Sequence, residues 1–407
     1  MASPGLPLAA LLALATPVLA TSEADVAEIG KLIFFDSRLS EPAGQACATC
    51  HGPGAGWTGP DSPINAAGAA YPGAIAERLG NRKPPSVAYA MAPPLHFDPA
   101  EQHFVGGNFW DGRATGWLLG SPLADQAQGP FLNPVEQNHP DAEAVLNKVC
   151  AGPYGAQFLG AFGEGVCTDT IRGYNAVAQA VAAYEASAEV NPYTSKYDYW
   201  LSDPGTYPLS EQERLGLELF ERDDKGKCAA CHPSQRGPAG EPPLFTDFTY
   251  DNLGIPKNPA NPWYGMPKPF NADGAGWIDE GLGGYLRTVP RYAALAPENR
   301  GKHKVPTLRN VDLRPAPDFV KAYGHNGYFK SLEAIVRFYS TRDALPRCKG
   351  ADDPEAGRGC WPAPEVPENM NTEEMGRLGL TTAEEAAIVA FLKTLSDGWQ
   401  PPEDRAP

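Results

Sequence analysis

The sequence predicts a mainly α-helical chain of two tandem domains with long irregular loops. The pattern C-x-x-C-H occurs twice, at 47–51 and 228–232. Each copy follows a segment with the apolar spacing of an amphipathic helix, at 28–40 and 214–224. Glycine and proline number 43 each, about a fifth of the 407 residues, which favours long connections between few regular elements.

The repeated motif divides the chain into two comparable parts. The turn-rich segment "LSDPGTYPLS" at 201–210 predicts a boundary there, with domains at 21–205 and 206–407. Ser210 and Glu213 have the spacing of a capping box, which predicts that a helix of the second domain begins at this point.

The first twenty residues have the pattern of a cleavable export signal. Residues 8–15 are apolar, and Val18 and Ala20 give the small-x-small pattern that predicts cleavage after Ala20. A basic residue at the start is missing, but the apolar run is too short for a membrane anchor. We therefore expect an exported periplasmic protein without a membrane span, in an oxidising compartment.

The charge of the chain excludes two classes of partner. The formal net charge is −16, which argues against binding to nucleic acid and to anionic membranes.

Four of the eight cysteines lie outside the two motifs. They form pairs that are close in sequence, Cys150 with Cys167 and Cys348 with Cys360. In an exported chain these pairs predict two local disulfides, and a role as metal ligands is the alternative.

The C-x-x-C-H spacing is typical of covalent attachment of c-type haem. Cysteines at i and i+3 lie on one helical face, where both can bond the haem, and the next histidine reaches the iron. The alternatives are a redox dithiol or half of a zinc site. The motifs therefore predict two haems in cytochrome-c-like domains. The attachment residues would be Cys47, Cys50, Cys228 and Cys231, with His51 and His232 as iron ligands.

Three further segments, at 108–137, 304–343 and 382–395, carry a family resemblance. They contain F-W-D-G-R, A-x-G-P-x-x-N-P-x-E and P-T-L-R-N-V. Together with the haem motifs they resemble the bacterial di-haem cytochrome c peroxidase family, in particular its MauG-like branch. The resemblance spans nearly all of the chain after the export signal.

The resemblance implies a peroxide site at the first haem. Trp110 would lie between the two haems, while Gln126, Pro130 and Glu136 would lie over the first. Glu136 would move a proton between the peroxide oxygens, Gln126 would orient the peroxide, and Pro130 would wall the pocket.

Members of this family differ in whether a second histidine blocks the iron of the first haem. In typical peroxidases of the family, a histidine after the first motif blocks this haem until the other is reduced. Residues 52–95 contain no histidine, which predicts an open site at rest. A ligand from His96 or His103 is the alternative.

The second haem would have a tyrosine ligand. The position of the methionine of typical peroxidases is Tyr339 here, as in the MauG-like branch. A tyrosinate is a hard anionic donor, which lowers the reduction potential and favours high-valent iron. Met266 is the competing ligand, and core packing is the alternative role of Tyr339.

Two departures from the family pattern concern the first haem. Extra residues at 115–123 predict a loop near the distal pocket, with Trp117 inside it. Gln137 replaces a methionine that often follows the glutamate of the family.

The calcium ion that the family holds between its haems is in doubt. Lys83 stands at the asparagine position, and Val320 and Ala322 stand at the two carbonyl positions. Lys83 could supply the positive charge in place of the metal, and Asn81 is a substitute ligand.

The resemblance implies an enzyme that uses hydrogen peroxide to form a high-valent di-haem state. This state would oxidise a residue of a partner protein, a tryptophan in known members, by long-range electron transfer through Trp110. One alternative is a peroxidase supplied with electrons by a small redox protein. The other is a non-catalytic electron carrier. Trp200, Trp361 or Trp399 could relay oxidising equivalents to the surface, although core packing is their alternative role.

Overall fold

The computed structural model describes residues 22–350 and 353–402. The predicted export signal at 1–20 lies outside these residues. Within them, no helix is both long and apolar enough to cross a membrane.

The regular elements of the described ranges are mostly helices. The α-helices are α1 (Glu23–Phe34), α2 (Cys47–Cys50), α3 (Ser62–Ala66), α4 (Pro122–Leu132), α5 (Ala142–Ala151), α6 (Gly155–Phe162), α7 (Thr170–Glu185), α8 (Lys196–Ser202), α9 (Glu211–Glu221), α10 (Gly281–Leu286), α11 (Leu332–Thr341) and α12 (Thr382–Lys393). Short 3-10 helices are Ser37–Leu39, Pro53–Ala55, Cys228–Ala230, Pro262–Gly265, Gly274–Gly276, Ala293–Leu295 and Pro297–Asn299.

The strands form two small antiparallel ribbons. In the first, β1 (His96–Asp98) pairs with β2 (His103–Val105). In the second, β3 (Tyr250–Asp251) pairs with β4 (His303–Lys304). Long irregular segments connect these elements, so the prediction of a mainly α-helical chain with long loops is confirmed.

Each haem motif follows a helix that packs closely against a later helix, with a glycine at the point of contact. In the first half, a Cβ on Gly30 of α1 would lie 1.8 Å from the carbonyl oxygen of Ala180 in α7. In the second half, a Cβ on Gly216 of α9 would lie 2.0 Å from the carbonyl oxygen of Ala387 in α12. Only glycine permits such close backbone approach, so both halves use the same device to place their motifs.

Two main hydrophobic cores accompany these helix pairs. The first core runs from Ile29 to Val190, and the second from Tyr197 to Leu395. Helix α8 packs with the second core, since the Tyr197 ring lies 5.3 Å from Phe245. The boundary between the two cores therefore lies between Val190 and Tyr197, a few residues before the predicted domain end at 205.

Local predictions about caps and cysteines are confirmed. Ser210 caps α9 and forms the capping box with Glu213. Cys150 is bonded to Cys167, and Cys348 to Cys360.

Lys321 joins the two halves deep in the molecule. Its ammonium donates to the carbonyl oxygens of Ala55 at 2.9 Å, Asn310 at 2.7 Å and Leu313 at 2.8 Å. The side chain is buried, and Ala55 is the last residue of the short 3-10 helix that follows the first haem motif. One ammonium therefore holds backbone from both halves together.

Lys330 makes a similar bridge nearer the surface. Its ammonium donates to the carbonyl oxygens of Asn65 at 2.7 Å, Ala67 at 2.6 Å and Gly327 at 2.7 Å. This side chain is only half-buried.

Candidate active site

The first cysteine motif borders a cavity of about 1270 Å³, counting the solvent in its mouth. Helix α2 spans the two cysteines, and Cys50 and His51 line the cavity. Neither Cys47 nor Cys50 forms a disulfide. The motif therefore presents its thiols and imidazole together, as haem attachment requires.

The imidazole of His51 has the orientation and the neutral form that metal binding requires. Its Nδ1 lies 3.0 Å from the carbonyl oxygen of Pro85, which leaves Nε2 available. Burial lowers the pKa of His51 to about 4, so the ring is neutral at pH 7. A neutral imidazole oriented by a carbonyl is the usual form of an iron or zinc ligand.

Two of the three predicted distal residues line the first cavity, and the third does not. Gln126 on α4 and Glu136 just beyond it line the first cavity. Pro130 is not among the described lining residues. It lies inside α4, where its carbonyl accepts from the N–H of Gln137 at 3.0 Å.

Glu136 has a defined partner and a perturbed pKa. The amide Nδ2 of Asn133 donates to its Oε2 at 2.7 Å. Burial raises the pKa of Glu136, while this hydrogen bond and the positive charge of Arg113 oppose the shift. A buried carboxyl group with a raised pKa and one oriented oxygen suits proton transfer.

The alternative ligands for the first haem lie elsewhere. His96 and His103 face each other's strands in the β1–β2 ribbon, and neither lines either of the two cavities described here. Among the described residues that line the first cavity, His51 is the only histidine.

The second motif borders a larger cavity of about 1760 Å³, measured in the same way. Cys228, Cys231 and His232 line it, and neither cysteine forms a disulfide. The Nδ1 of His232 lies 2.7 Å from the carbonyl oxygen of Phe245, which again leaves Nε2 available. Burial lowers the pKa of this histidine also.

Tyr339 faces the second cavity from α11. Burial raises the pKa of its phenol strongly, with smaller contributions from Cys231 and Cys228. Coordination to iron would compensate for this, because a metal ion favours the anionic phenolate.

Two methionines are relevant to the second cavity. Met266, the competing ligand from the sequence, lies outside its lining and packs with Val135 and Trp263. Met375, which the sequence analysis overlooked, lines the cavity beside Tyr339, and the N–H of the next residue donates to the carbonyl oxygen of Tyr339 at 2.6 Å.

A common wall separates the two cavities. Trp110, Lys83 and Lys304 line both of them. The indole N–H of Trp110 donates to the carbonyl oxygen of Lys83 at 2.8 Å. An aromatic ring that is fixed in this position can couple groups bound on its two sides.

The predicted calcium position carries ammonium groups. Lys83 is buried and donates to Thr58 Oγ1 at 2.8 Å and to the carbonyl oxygen of Pro84 at 2.9 Å. Burial lowers the pKa of Lys83 to about 7. The positive charge of Lys83 also lowers the pKa of Lys321, after burial, which indicates that the two ammonium groups are close.

Two of the oxygens near the expected calcium position already have other partners. The carbonyl of Val320 accepts from Asn65 Nδ2 at 3.1 Å, and that of Asn81 accepts from Asn261 Nδ2 at 2.8 Å. Calcium requires six to eight free oxygen ligands. Two backbone oxygens of this region are thus already engaged, and two buried lysines lie close by.

Sequence reasoning missed a buried histidine pair in the second cavity. The rings of His303 and His325 are stacked with centroids 3.6 Å apart, beside Asp279. The Nε2 atoms of both rings are buried, that of His303 3.3 Å from Asp279 Oδ1 and that of His325 3.9 Å from Glu365 Oε2, without a well-formed hydrogen bond. The cavity fits haem through Cys228, Cys231 and His232, and the two stacked imidazoles add polar groups to its wall. The only signal in the sequence was that two of seven histidines lie near the P-T-L-R-N-V segment.

The extra loop is anchored away from the first cavity. Trp117 stacks under the guanidinium of Arg291 at 3.9 Å, and its indole N–H donates to the carbonyl oxygen of Leu95 at 2.8 Å. Trp117 does not line the cavity, but Leu123, in the first turn of α4, does. Gln137 points its Nε2 toward Cys47 Sγ at 3.9 Å.

The three candidate relay tryptophans have different surroundings. Trp361 is buried in the second core, 4.9 Å from the Phe338 ring. Trp200 and Trp399 are half-buried and contact the rings of Tyr197 and Tyr199 respectively. Core packing is therefore the evident role of Trp361.

Comparisons with known proteins show which family the chain is similar to. Residues 24–205 match the family model described as di-haem cytochrome c peroxidase. The chain is 34% identical over 375 residues to the methylamine utilization protein MauG of Paracoccus denitrificans, covering 91% of this chain and 88% of that protein. It is 28% identical over 384 residues to the cytochrome c551 peroxidase of Nitrosomonas europaea, covering 93% and 81%. The di-haem peroxidase BthA of Burkholderia thailandensis superposes with a TM-score of 0.75 at 32% identity, over 92% of this chain and 86% of that one.

Proposed function

This chain belongs to the di-haem cytochrome c peroxidase and MauG family, and on that premise we propose that it is a MauG-like enzyme. Members of the family are haem oxidoreductases that act on hydrogen peroxide. The finer proposal is that this chain uses peroxide to oxidise a residue of a partner protein, a tryptophan in the first instance, by electron transfer over a distance.

The observation that carries this proposal is the phenol of Tyr339 in the wall of the second cavity. An anionic oxygen ligand stabilises the oxidised forms of iron and lowers its reduction potential. A haem with such a ligand is a poor entry point for electrons from a small redox protein. It is well suited to hold oxidising equivalents.

The first cavity supports a site that is open at rest. Its only histidine among the described lining residues is His51, so no second imidazole is available to block the iron. When bound, the two haems supply the redox chemistry, accepting both oxidising equivalents of peroxide. The protein residues supply proton transfer, orientation and insulation.

Glu136 is the proposed acid and base of the peroxide step. Its carboxylate would take a proton from the peroxide oxygen that approaches the iron, and return it to the other oxygen, which leaves as water. The hydrogen bond from Asn133 holds one carboxylate oxygen in place, and leaves the other for this exchange. Gln126 would orient the peroxide by a hydrogen bond.

Trp110 would couple the two cavities. Its ring lines both of them and its N–H is held by the Lys83 carbonyl. The buried Lys83 and Lys321 support a further proposal, that their ammonium groups replace a calcium ion. In this view the chain needs no bound metal besides haem iron.

The architecture completes the proposal. We assign the helix pairs α1–α7 and α9–α12 to two tandem cytochrome-c-like domains, each with one C-x-x-C-H haem. We also propose that the protein works in the periplasm after cleavage near Ala20. The acidic net charge of −16 would favour a partner with a basic contact surface.

One experiment tests this function. One equivalent of hydrogen peroxide is added to the fully ferric protein without a reductant, and optical and EPR spectra are followed. Prompt loss of both ferric signals supports the MauG-like function. The variant Glu136→Gln should slow this loss by roughly 10²–10⁴-fold if Glu136 transfers the proton.

The second candidate function gives the opposite result. Relatives named cytochrome c peroxidases favour a peroxidase that takes electrons from a small redox protein. Such an enzyme that must first be reduced would leave both ferric signals unchanged until one electron is supplied. That result would overturn the MauG-like proposal.

A further inference from the structure

Tyr89 connects the first cavity to a carboxylate at the C-terminal end of the chain. Its ring lines the cavity and is fully buried, four residues after the carbonyl of Pro85 that orients His51. Its hydroxyl donates to Asp397 Oδ2 at 2.8 Å. A phenol with a carboxylate at this distance has an acceptor ready for its proton.

A second tyrosine continues from Tyr89 toward the surface. The ring of Tyr193 lies 4.9 Å from that of Tyr89, centroid to centroid, and Tyr193 is partly exposed. The backbone N–H of Tyr193 also donates to the Tyr89 hydroxyl at 3.0 Å. The two residues thus form a direct contact between the cavity wall and the solvent.

The backbone holds both tyrosines in an unfavourable conformation. Tyr89 has φ of 57° and Tyr193 has φ of 52°, in the left-handed region that bulky residues avoid. This conformation fixes the two rings relative to each other and is shared with ten other non-glycine residues among those described.

The electrostatics of the pair suit a neutral radical. The Arg309 guanidinium lies over both rings, at 4.9 Å from Tyr89 and 4.6 Å from Tyr193. Its charge is matched by Asp198, which accepts two hydrogen bonds at 2.8 and 2.9 Å. A cation there disfavours a positively charged ring, but not a tyrosine that loses a proton with its electron.

We propose that Tyr89 and Tyr193 form a redox relay from the first cavity to the protein surface, where an oxidisable side chain of the partner docks. This inference deepens the proposed function and rests on it. Tyr89 gives one electron to the peroxide-oxidised haem unit and its proton to Asp397. It then recovers an electron from Tyr193 and its proton from Asp397. Tyr193 releases its own proton to solvent and is restored by one electron and one proton from the partner.

The aromatic series beside the second cavity is less suited to this task. It runs from Phe220, which lines that cavity, through Phe245 to Tyr197. The first two rings are phenylalanines, which carry no ionisable proton. The hydroxyl of Tyr197 donates to the carbonyl oxygen of Ser234, which cannot take up a proton as a carboxylate does.

The relay is tested on the di-haem protein with hydrogen peroxide and no substrate. Freeze-quench EPR is recorded for the wild type and for Tyr89→Phe, Tyr193→Phe and the control Tyr174→Phe. Tyr174 is buried in the same half, hydrogen-bonded to a carbonyl, and does not line either cavity. A nitroso spin trap followed by peptide mass spectrometry locates the radical that reaches the surface.

The wild type and Tyr174→Phe should give a tyrosyl radical and a trap adduct on Tyr193. Tyr89→Phe should lose both the radical and the Tyr193 adduct. Tyr193→Phe should keep a radical on Tyr89 without a surface adduct, and its first reaction with peroxide should keep the wild-type rate. A Tyr193 adduct that survives in Tyr89→Phe, or a wild type that reacts with peroxide and gives no tyrosyl radical, would overturn the relay. If the wild type itself does not react with peroxide, the proposed function fails rather than the relay. A variant that misfolds is recognised by an altered ferric spectrum. If Tyr89→Phe misfolds, Tyr193→Phe decides, because that residue is partly exposed: a radical retained on Tyr89 supports the relay, and its absence overturns it.

Discussion

Replacement of Lys321 by methionine should destabilise the contact between the two halves of the molecule. The ammonium of Lys321 donates to three backbone carbonyls, one in the first half and two in the second. Methionine fills similar space but donates no hydrogen bond. Because the side chain is only 4% exposed, water cannot reach the three oxygens that lose their donor.

The size of this effect follows from the hydrogen bonds. A buried acceptor without a partner costs about 1–3 kcal/mol, so three acceptors give roughly 3–5 kcal/mol after partial relaxation. Methionine also removes the cost of burying an ammonium group, which the lowered pKa of Lys321 reflects. We therefore expect a net loss of about 2–4 kcal/mol in the free energy of unfolding.

Lys330 supplies the matched control. It also donates to three carbonyls and also joins the halves, but it is half-buried, so water can replace its ammonium. Lys330→Met should cost less than about 1 kcal/mol. Urea unfolding of the di-haem protein, followed by haem absorbance, measures both variants. Equal losses for Lys321→Met and Lys330→Met would refute the reasoning that burial decides the cost.

Four further outcomes are expected. Burial raises the pKa of Glu136, and proton transfer requires the carboxylate form. The rate of the reaction with peroxide should therefore fall as the pH drops through this raised pKa. Glu136→Gln should flatten the pH profile of this rate, measured by stopped flow. Tyr339→Met should raise the reduction potential of the second haem in spectroelectrochemistry, and an unchanged potential would argue against ligation. A calcium chelator should leave the urea midpoint unchanged, because Lys83 and Lys321 occupy the expected position; a lowered midpoint that added calcium restores would contradict this. Replacing Cys348 and Cys360 by serine should cost about 3 kcal/mol of stability for a loop of this length, measured by the same unfolding assay.

The helices beside the haem motifs could be predicted because their signals are local. Apolar spacing before each motif marks α1 and α9, and the Ser210 box marks the start of α9. The position of the boundary between the two cores could not be predicted in this way. Turn residues at 203–208 signal a loop, but long-range contacts such as that of Tyr197 with Phe245 assign α8 to the second core. Such a contact has no local signal.

The candidate site was predicted where a motif carries it and missed where distant residues meet. Glu136 and Tyr339 came from family patterns, and both line the expected cavities. Lys321 could not be predicted, because its carbonyl partner Ala55 is 266 positions away. The stacked pair of His303 and His325 is equally hidden, since neither histidine belongs to a ligand motif.

Because the two cavities share a wall, residues from both halves of the chain line the first cavity. Thr246, Phe248 and Lys304 come from the second half, yet they line the cavity of the first motif. A newly attached first haem would therefore stay exposed on that side until the second half docks against it. The cavity in which peroxide would react is therefore complete only when both halves have folded and docked, so activity would report on assembly of the whole chain.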